Sequence, residues 1–263
     1  MYIDLRNHGL ARRYKRESKF MKSFFRAAVC VLAFCLGFLP GALRADAAAF
    51  DALVDEAQVG FRASLFYART GNVALAAIEL DQAQAAWVEI LNKYGSNPPK
   101  AYASDDRWAS DLKAIITHLS EGMELLDLEQ GKAARKALMP IRDLVYGLRD
   151  RAGRKGYSEC VTDLNRQMDH LFKWRYNRPD FAQPGTADAV TKASREYLET
   201  LRRCRAMAPE TYKSAADFKR IYDGADISIS SMFPAVERKD ALGVVNILRE
   251  LRSFDRILYF KLG

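Results

Sequence analysis

The chain has 263 residues, and its 41 Lys+Arg against 33 Asp+Glu give a formal charge of +8, a balance that on its own points to a polyanion. Nine of those basic side chains but only three acidic ones fall in residues 1–47, leaving the other 216 residues with 32 basic and 30 acidic groups, a net of +2. A nearly neutral body carries no electrostatic footprint for nucleic acid, so that class of partner drops out.

Residues 1–47 have the three parts of a secretory signal. Lys22 and Arg26 form a positive region, residues 27–39 are apolar, and after Pro40-Gly41 the small residues of Ala45-Asp46-Ala47 fit a cleavage site after Ala47. Met21 is an alternative start that gives a leader of ordinary length. Left uncleaved, the segment would be the only membrane contact, but its apolar run is shorter than the roughly 20 residues a span needs. Val29 before Cys30 and Phe34 before Cys35 replace the small residue of a lipobox, which argues against lipidation. The expected product, residues 48–263, is soluble in an oxidising compartment, periplasmic or secreted, and long enough for one large or two small cores.

In chain order, apolar residues recur every three or four positions and no stretch alternates like a strand, so the fold class is all-α. Breakers place helices at about 49–69, 73–94, 105–127 and 130–151, separated by Thr70-Gly71-Asn72, by residues 95–99 and by a turn near Gly131. After Gly153-Arg154-Lys155-Gly156, a second set follows at about 157–177, 186–207, 214–236 and 239–261. Pro140 and Pro234 are placed to kink helices or shift these bounds.

The two sets resemble each other in sequence. Leu65-Phe66-x-x-Arg69 recurs as Leu171-Phe172-x-x-Arg175, Pro99-x-x-Tyr102 as Pro209-x-x-Tyr212, and Asp111-x-Lys113-x-Ile115 as Asp217-x-Lys219-x-Ile221. Trp87-x-Glu89-x-Leu91 pairs with Tyr197-x-Glu199-x-Leu201, and residues 141–144 pair with 248–251. The shared order, at offsets of 106 to 110, predicts two tandem four-helix repeats over 48–153 and 157–263. Thr70-Gly71-Asn72-x-x-Leu75 resembles a tetratricopeptide turn, but a unit near 106 residues favours two up-down bundles over a short solenoid.

Cys160 and Cys204, the two cysteines after residue 47, each lie 22 positions from a turn near residue 182. They are therefore level on one antiparallel hairpin, where disulfide geometry is attainable and an oxidising compartment favours the bond. In the chain-entropy model such a loop gains about 3–4 kcal/mol.

Catalytic motifs are missing: no phosphate loop, nucleophile elbow or HExxH, so the chain reads as non-enzymatic. His118 and Glu121 share a helix face at i, i+3, and Met168 and His170 add further ligand types, a candidate metal set. His118-x-x-Glu121 is similar to the imelysin-type motif, although Ile116 stands where that motif has glycine. In length and layout the four-helix units resemble the cytochrome b562 and cytochrome c′ bundles, which implies a haem- or metal-handling alternative. The CxxCH of covalent haem attachment is missing, so no cofactor is evident.

Repeated arginines give the other candidate site. Arg69 with Arg175, and Arg142 with Arg249, hold matching places in the two sets and could grip an anion between helices; Asp143 and Glu250 beside them allow interhelical ion pairs instead. The preferred expectation is an exported binding or assembly protein with a protein or small-ligand partner. Expressed with its leader, the protein should reach the periplasm and begin at Ala48; N-terminal sequencing that finds Met1 or Met21 would overturn cleavage.

Overall fold

The computed structural model describes residues 40–262, with side chains over residues 46–261, and among them every regular element is helical. The part of the leader before residue 40 lies outside the described residues. Helix α1 spans Pro40–Thr70, α2 Val73–Tyr94, α3 Trp108–Asp127, α4 Gly131–Leu138, α5 Pro140–Arg151 and α6 Tyr157–Tyr176. Then come α7 (Thr186–Met207), the short α8 (Glu210–Lys213), α9 (Ala216–Ser230), α10 (Met232–Glu237) and α11 (Ala241–Ile257). A π-helical turn, Leu258–Leu262, follows.

Three of the differences from the sequence reading trace to proline. Helix α1 starts at Pro40 rather than 49, because proline is accommodated in a first turn, where no backbone donor is lost. The point after Ala47 thus falls within α1, just before Phe50, which is fully buried. The helix expected over 130–151 divides at Met139, ahead of Pro140, which has no N–H for Lys136. The helix expected over 214–236 divides at Ser231, because the ring of Pro234 clashes with the carbonyl four residues earlier.

Buried positions follow the helical period. Phe50, Val54, Ala57, Phe61, Leu65 and Ala68 line one face of α1, and Ala76, Leu80, Ala83, Trp87, Ile90 and Tyr94 one face of α2. Gly60 lets these two helices touch: a Cβ there would meet the Glu79 carbonyl oxygen at 2.7 Å. With α3, α4 and α5, they enclose one apolar cluster running from Phe50 to Leu148. The second cluster runs from Tyr157 to Tyr259. There α6 packs on α7 and α11, α9 packs on the same two helices, and α10 adds Met232, Ala235 and Val236 to the core. Cys160 of α6 and Cys204 of α7 form a disulfide, with Cα atoms 5.5 Å apart.

Turns in the two halves share details the sequence does not display. Tyr102 N–H donates to the Pro99 carbonyl at 2.7 Å, and Tyr212 N–H to the Pro209 carbonyl at 3.0 Å. Before α4 and α11 a non-glycine residue adopts positive φ, Glu129 at 59° and Lys239 at 55°. Each of these turns closes with the same pair of bonds, Glu129 N–H to Leu126 with Gln130 N–H to Leu125, and Lys239 N–H to Val236 with Asp240 N–H to Ala235.

The clusters meet at a buried ion network within the single compact unit that residues 43–263 form. Arg149 of α5, 2% exposed, donates through Nη2 to the Asp51 carbonyl at 2.7 Å. Its Nη1 lies 2.7 Å from Asp55 and 3.2 Å from Glu159, which is itself 3% exposed. Burial pulls the Arg149 pKa down, but Glu159 and Asp55 more than offset this and hold it above the ordinary value. Glu159 also accepts from Gly156 N–H at 2.8 Å, capping α6. Arg149→Met should therefore lose about 3–5 kcal/mol in denaturant unfolding, because it strands buried Glu159. The double variant Arg149→Met/Glu159→Met should lose less than the sum of the singles; additive losses would show that the pair is not coupled.

Candidate functional site

The end of α1, α4, the start of α5, the middle of α6 and the end of α11 converge on a cavity of about 80 Å³, room for several water molecules or one small ligand. Arg69, Arg135, Arg142, Arg252 and Arg256 line it, together with Asn165. The apolar part of the wall is Leu65, Met139, Tyr259 and Phe260. Phe260 packs against both apolar clusters, which ties the cavity to the junction between them.

The charges here are unequal. Arg252 is matched by Asp169 at 2.7 Å and by Asp255 at 3.3 Å. Arg142 contacts Asp143 at 3.3 Å, an exposed aspartate also held by Arg166 at 2.7 Å. Among the described residues, Arg69, Arg135 and Arg256 make no ion pair. Burial lowers the Arg256 pKa, and the like charges of Arg69 and Arg252 lower it further. The Nε atoms of Arg135 and Arg252 are buried without an acceptor. A buried donor left unpaired costs about 1–3 kcal/mol, more when charged, so an acceptor anion entering the cavity relieves both strain and repulsion.

A polar relay runs behind this wall. Arg142 Nη1 donates to Asn165 Oδ1 at 3.4 Å, and Asn165 Nδ2 donates to Asp255 Oδ2 at 2.7 Å. Asp255 occupies a core position of α11, in register with Val244, Leu248 and Leu251, and is 1% exposed. Burial pushes its pKa up to about 7, against the pull of Arg252 and the Asn165 hydrogen bond.

Of the arginines singled out by repetition, Arg69 and Arg142 reach the cavity while Arg175 and Arg249 do not line it. Arg175 lies over the rings of Phe172 and Tyr176, 6.0 and 4.9 Å from their centroids. Arg249 is exposed and donates to Asn246 at 3.3 Å on its own helix; Glu250 is exposed beside it. Arg142 on α5 therefore faces the junction and Arg249 on α11 faces solvent. A match in sequence does not fix which surface a neighbouring helix covers.

The candidate metal residues do not assemble into one site. His118 Nδ1 stands 3.8 Å from Glu121, while Met168 is buried in the second apolar cluster and His170 is exposed. Among the described residues no group of three or more His, Cys, Asp or Glu is placed to hold a metal. The sequence reading missed Arg135 and Asn165. Arg252, Asp255 and Arg256 do leave a signal in the sequence, as charges set within the strongly apolar pattern of α11, with Asp255 a polar group at a core position.

No family model, curated protein or solved structure matches the chain. The site therefore rests on its own chemistry.

Asp255 gives a pH dependence of definite sign. The native carboxyl keeps its proton up to about pH 7, whereas the unfolded one releases it near pH 4. This group therefore weakens folding as pH rises through that window, by up to about 4 kcal/mol, and fully above it. Relative to Asp255→Asn, wild-type stability in denaturant unfolding should fall between pH 4 and 7; a constant difference would show that Asp255 ionises normally.

Proposed function

We propose that this chain is an exported, non-enzymatic helical binding protein that holds a small, multiply charged oxoanion in the arginine cavity. The observation that carries this reading is the surplus of guanidinium groups: five line one cavity, and three of them have no carboxylate in ion-pair contact among the described residues. Guanidinium forks match the planar oxygen pairs of phosphate, sulfate and carboxylate groups. The cavity volume limits the bound group to about the size of such an anion. Export rests on the leader and agrees with the Cys160–Cys204 disulfide.

We read the two halves, residues 48–153 and 157–263, as tandem copies of one four-helix unit. The matched Pro-Tyr turns and the positive-φ turns at Glu129 and Lys239 support it, beyond the sequence matches. The ligand then sits where the copies join, and the copies have diverged at Arg142 and Arg249 to make a single site.

Thermal unfolding in millimolar phosphate or sulfate, against chloride at equal ionic strength, tests the reading. Ligand at about 100 times its Kd adds about 2.7 kcal/mol, so the wild-type Tm should rise. Arg69→Met and Arg256→Met should raise the Tm in chloride by removing repulsion, and should abolish the response to the anion. A lower Tm with the response intact would mean that these arginines are only structural. Metal analysis and an absorption spectrum of the exported protein address the haem- or metal-handling alternative; a stoichiometric metal or a Soret band would displace the present reading.

A further inference from the structure

A second cavity, of about 290 Å³, opens at the Arg149 network. Its polar end is Arg62 of α1, a guanidinium 5% exposed on a side chain flanked by the core residues Phe61 and Leu65. The one hydrogen bond assigned to it is Nη1 to Ser158 Oγ at 3.0 Å, and no carboxylate of the described residues forms an ion pair with it. Burial lowers its pKa below the ordinary arginine value. Ser158 is the second residue of α6, so the first-turn N–H groups of a 20-residue helix, which have no intrahelical acceptors, lie at the same end of the cavity. Arg149 and Asp55, already bound to each other, and Thr211 also line it, and the apolar and aromatic part of the wall is Tyr157 and Tyr212, with ring centroids 5.6 Å apart, Met207 and Pro209.

The surrounding charges set the valence of any occupant. Asp55 at the rim and buried Glu159 are both bound to Arg149, and Asp51 is shared by Arg149 and Arg154. Three guanidinium groups thus face three carboxylates, and Arg62 is the member without a contact partner. A multiply charged anion would be repelled by Asp55 and Glu159. A single negative charge placed on Arg62 gains a close, desolvated ion pair against more distant, already paired acids. The cavity stands at the lower end of the small-molecule range, with one polar end and an apolar body.

We infer that this cavity is a second ligand site, separate from the oxoanion site, for a small monocarboxylate whose carboxylate meets Arg62 and Ser158 and whose apolar body lies among Tyr157, Tyr212, Met207 and Pro209. Sequence pattern agrees with a built feature, since Gln58 and Arg62 are polar residues in buried register on α1.

The test is calorimetric titration of the protein with benzoate, using benzamide as the neutral isostere. Benzoate should bind and benzamide should bind at least about tenfold more weakly, the scale of one charge-assisted contact. Arg62→Met should weaken benzoate by at least about tenfold, and Ser158→Ala by a smaller factor. Ser158→Ala keeps the test readable if Arg62→Met fails to fold. Arg256→Met, which disables the oxoanion cavity, should leave benzoate affinity unchanged, so either site can fail without the other. Equal binding of benzamide, unchanged benzoate affinity in Arg62→Met and Ser158→Ala, or no benzoate binding by the wild type at millimolar concentration would each overturn the inference.

Discussion

Burying a guanidinium costs several kcal/mol unless carboxylates and carbonyls replace the lost water, and Arg149 meets that demand only by drawing on both halves of the fold. Its partners are the Asp51 carbonyl and the Asp55 carboxylate on α1 and Glu159 on α6. Glu159 in turn caps its own helix through Gly156 N–H. The position of α6 relative to α1 and α5 is therefore fixed by a charge that tolerates little displacement. Apolar contact alone, being non-directional, would permit many relative placements of two helical clusters.

The two cavities follow from that placement. One lies where Arg69, Arg135, Arg142, Arg252 and Arg256 converge, and the other where Arg62 faces the start of α6. They differ in charge rather than in residue type. In the first cavity, guanidinium groups outnumber their contact carboxylates and depress the basicity of Arg256. In the second, the local count is even and only the contact partner of Arg62 is missing. Arginines can thus build a structural clamp, or line a cavity with or without a surplus of positive charge. What decides among them is how many carboxylates the neighbouring helices bring within about 4 Å.

Asp255 shows how the relay can hold these charges apart. A carboxyl at a core position of α11 is forced toward its neutral form by burial, and Asn165 links it to Arg142 across the junction. Near neutral pH the proton on Asp255 is finely balanced, so the net charge behind the first cavity responds to small changes in its surroundings. A hydrophobic residue in that position would fill the same space without this response.

Periodicity alone determined a great deal: the all-α class, the helix sequence and the levelling of Cys160 with Cys204, because burial repeats every three to four residues and turns carry local signals. Proline effects at Met139 and Ser231 were foreseeable in kind but not in place, since a kink divides a helix only where packing lets it. The site was half legible. Arg69 and Arg142 stood out by repetition, yet Arg175 and Arg249 stood out equally and face elsewhere. Which arginines gather, which carboxylates pair with them and which are left over depends on how two helical clusters are rotated against each other. That rotation is set by contacts between residues about a hundred positions apart, such as Arg62 with Ser158 and Asn165 with Asp255. No local pattern records those distances, so only the tertiary structure decided them.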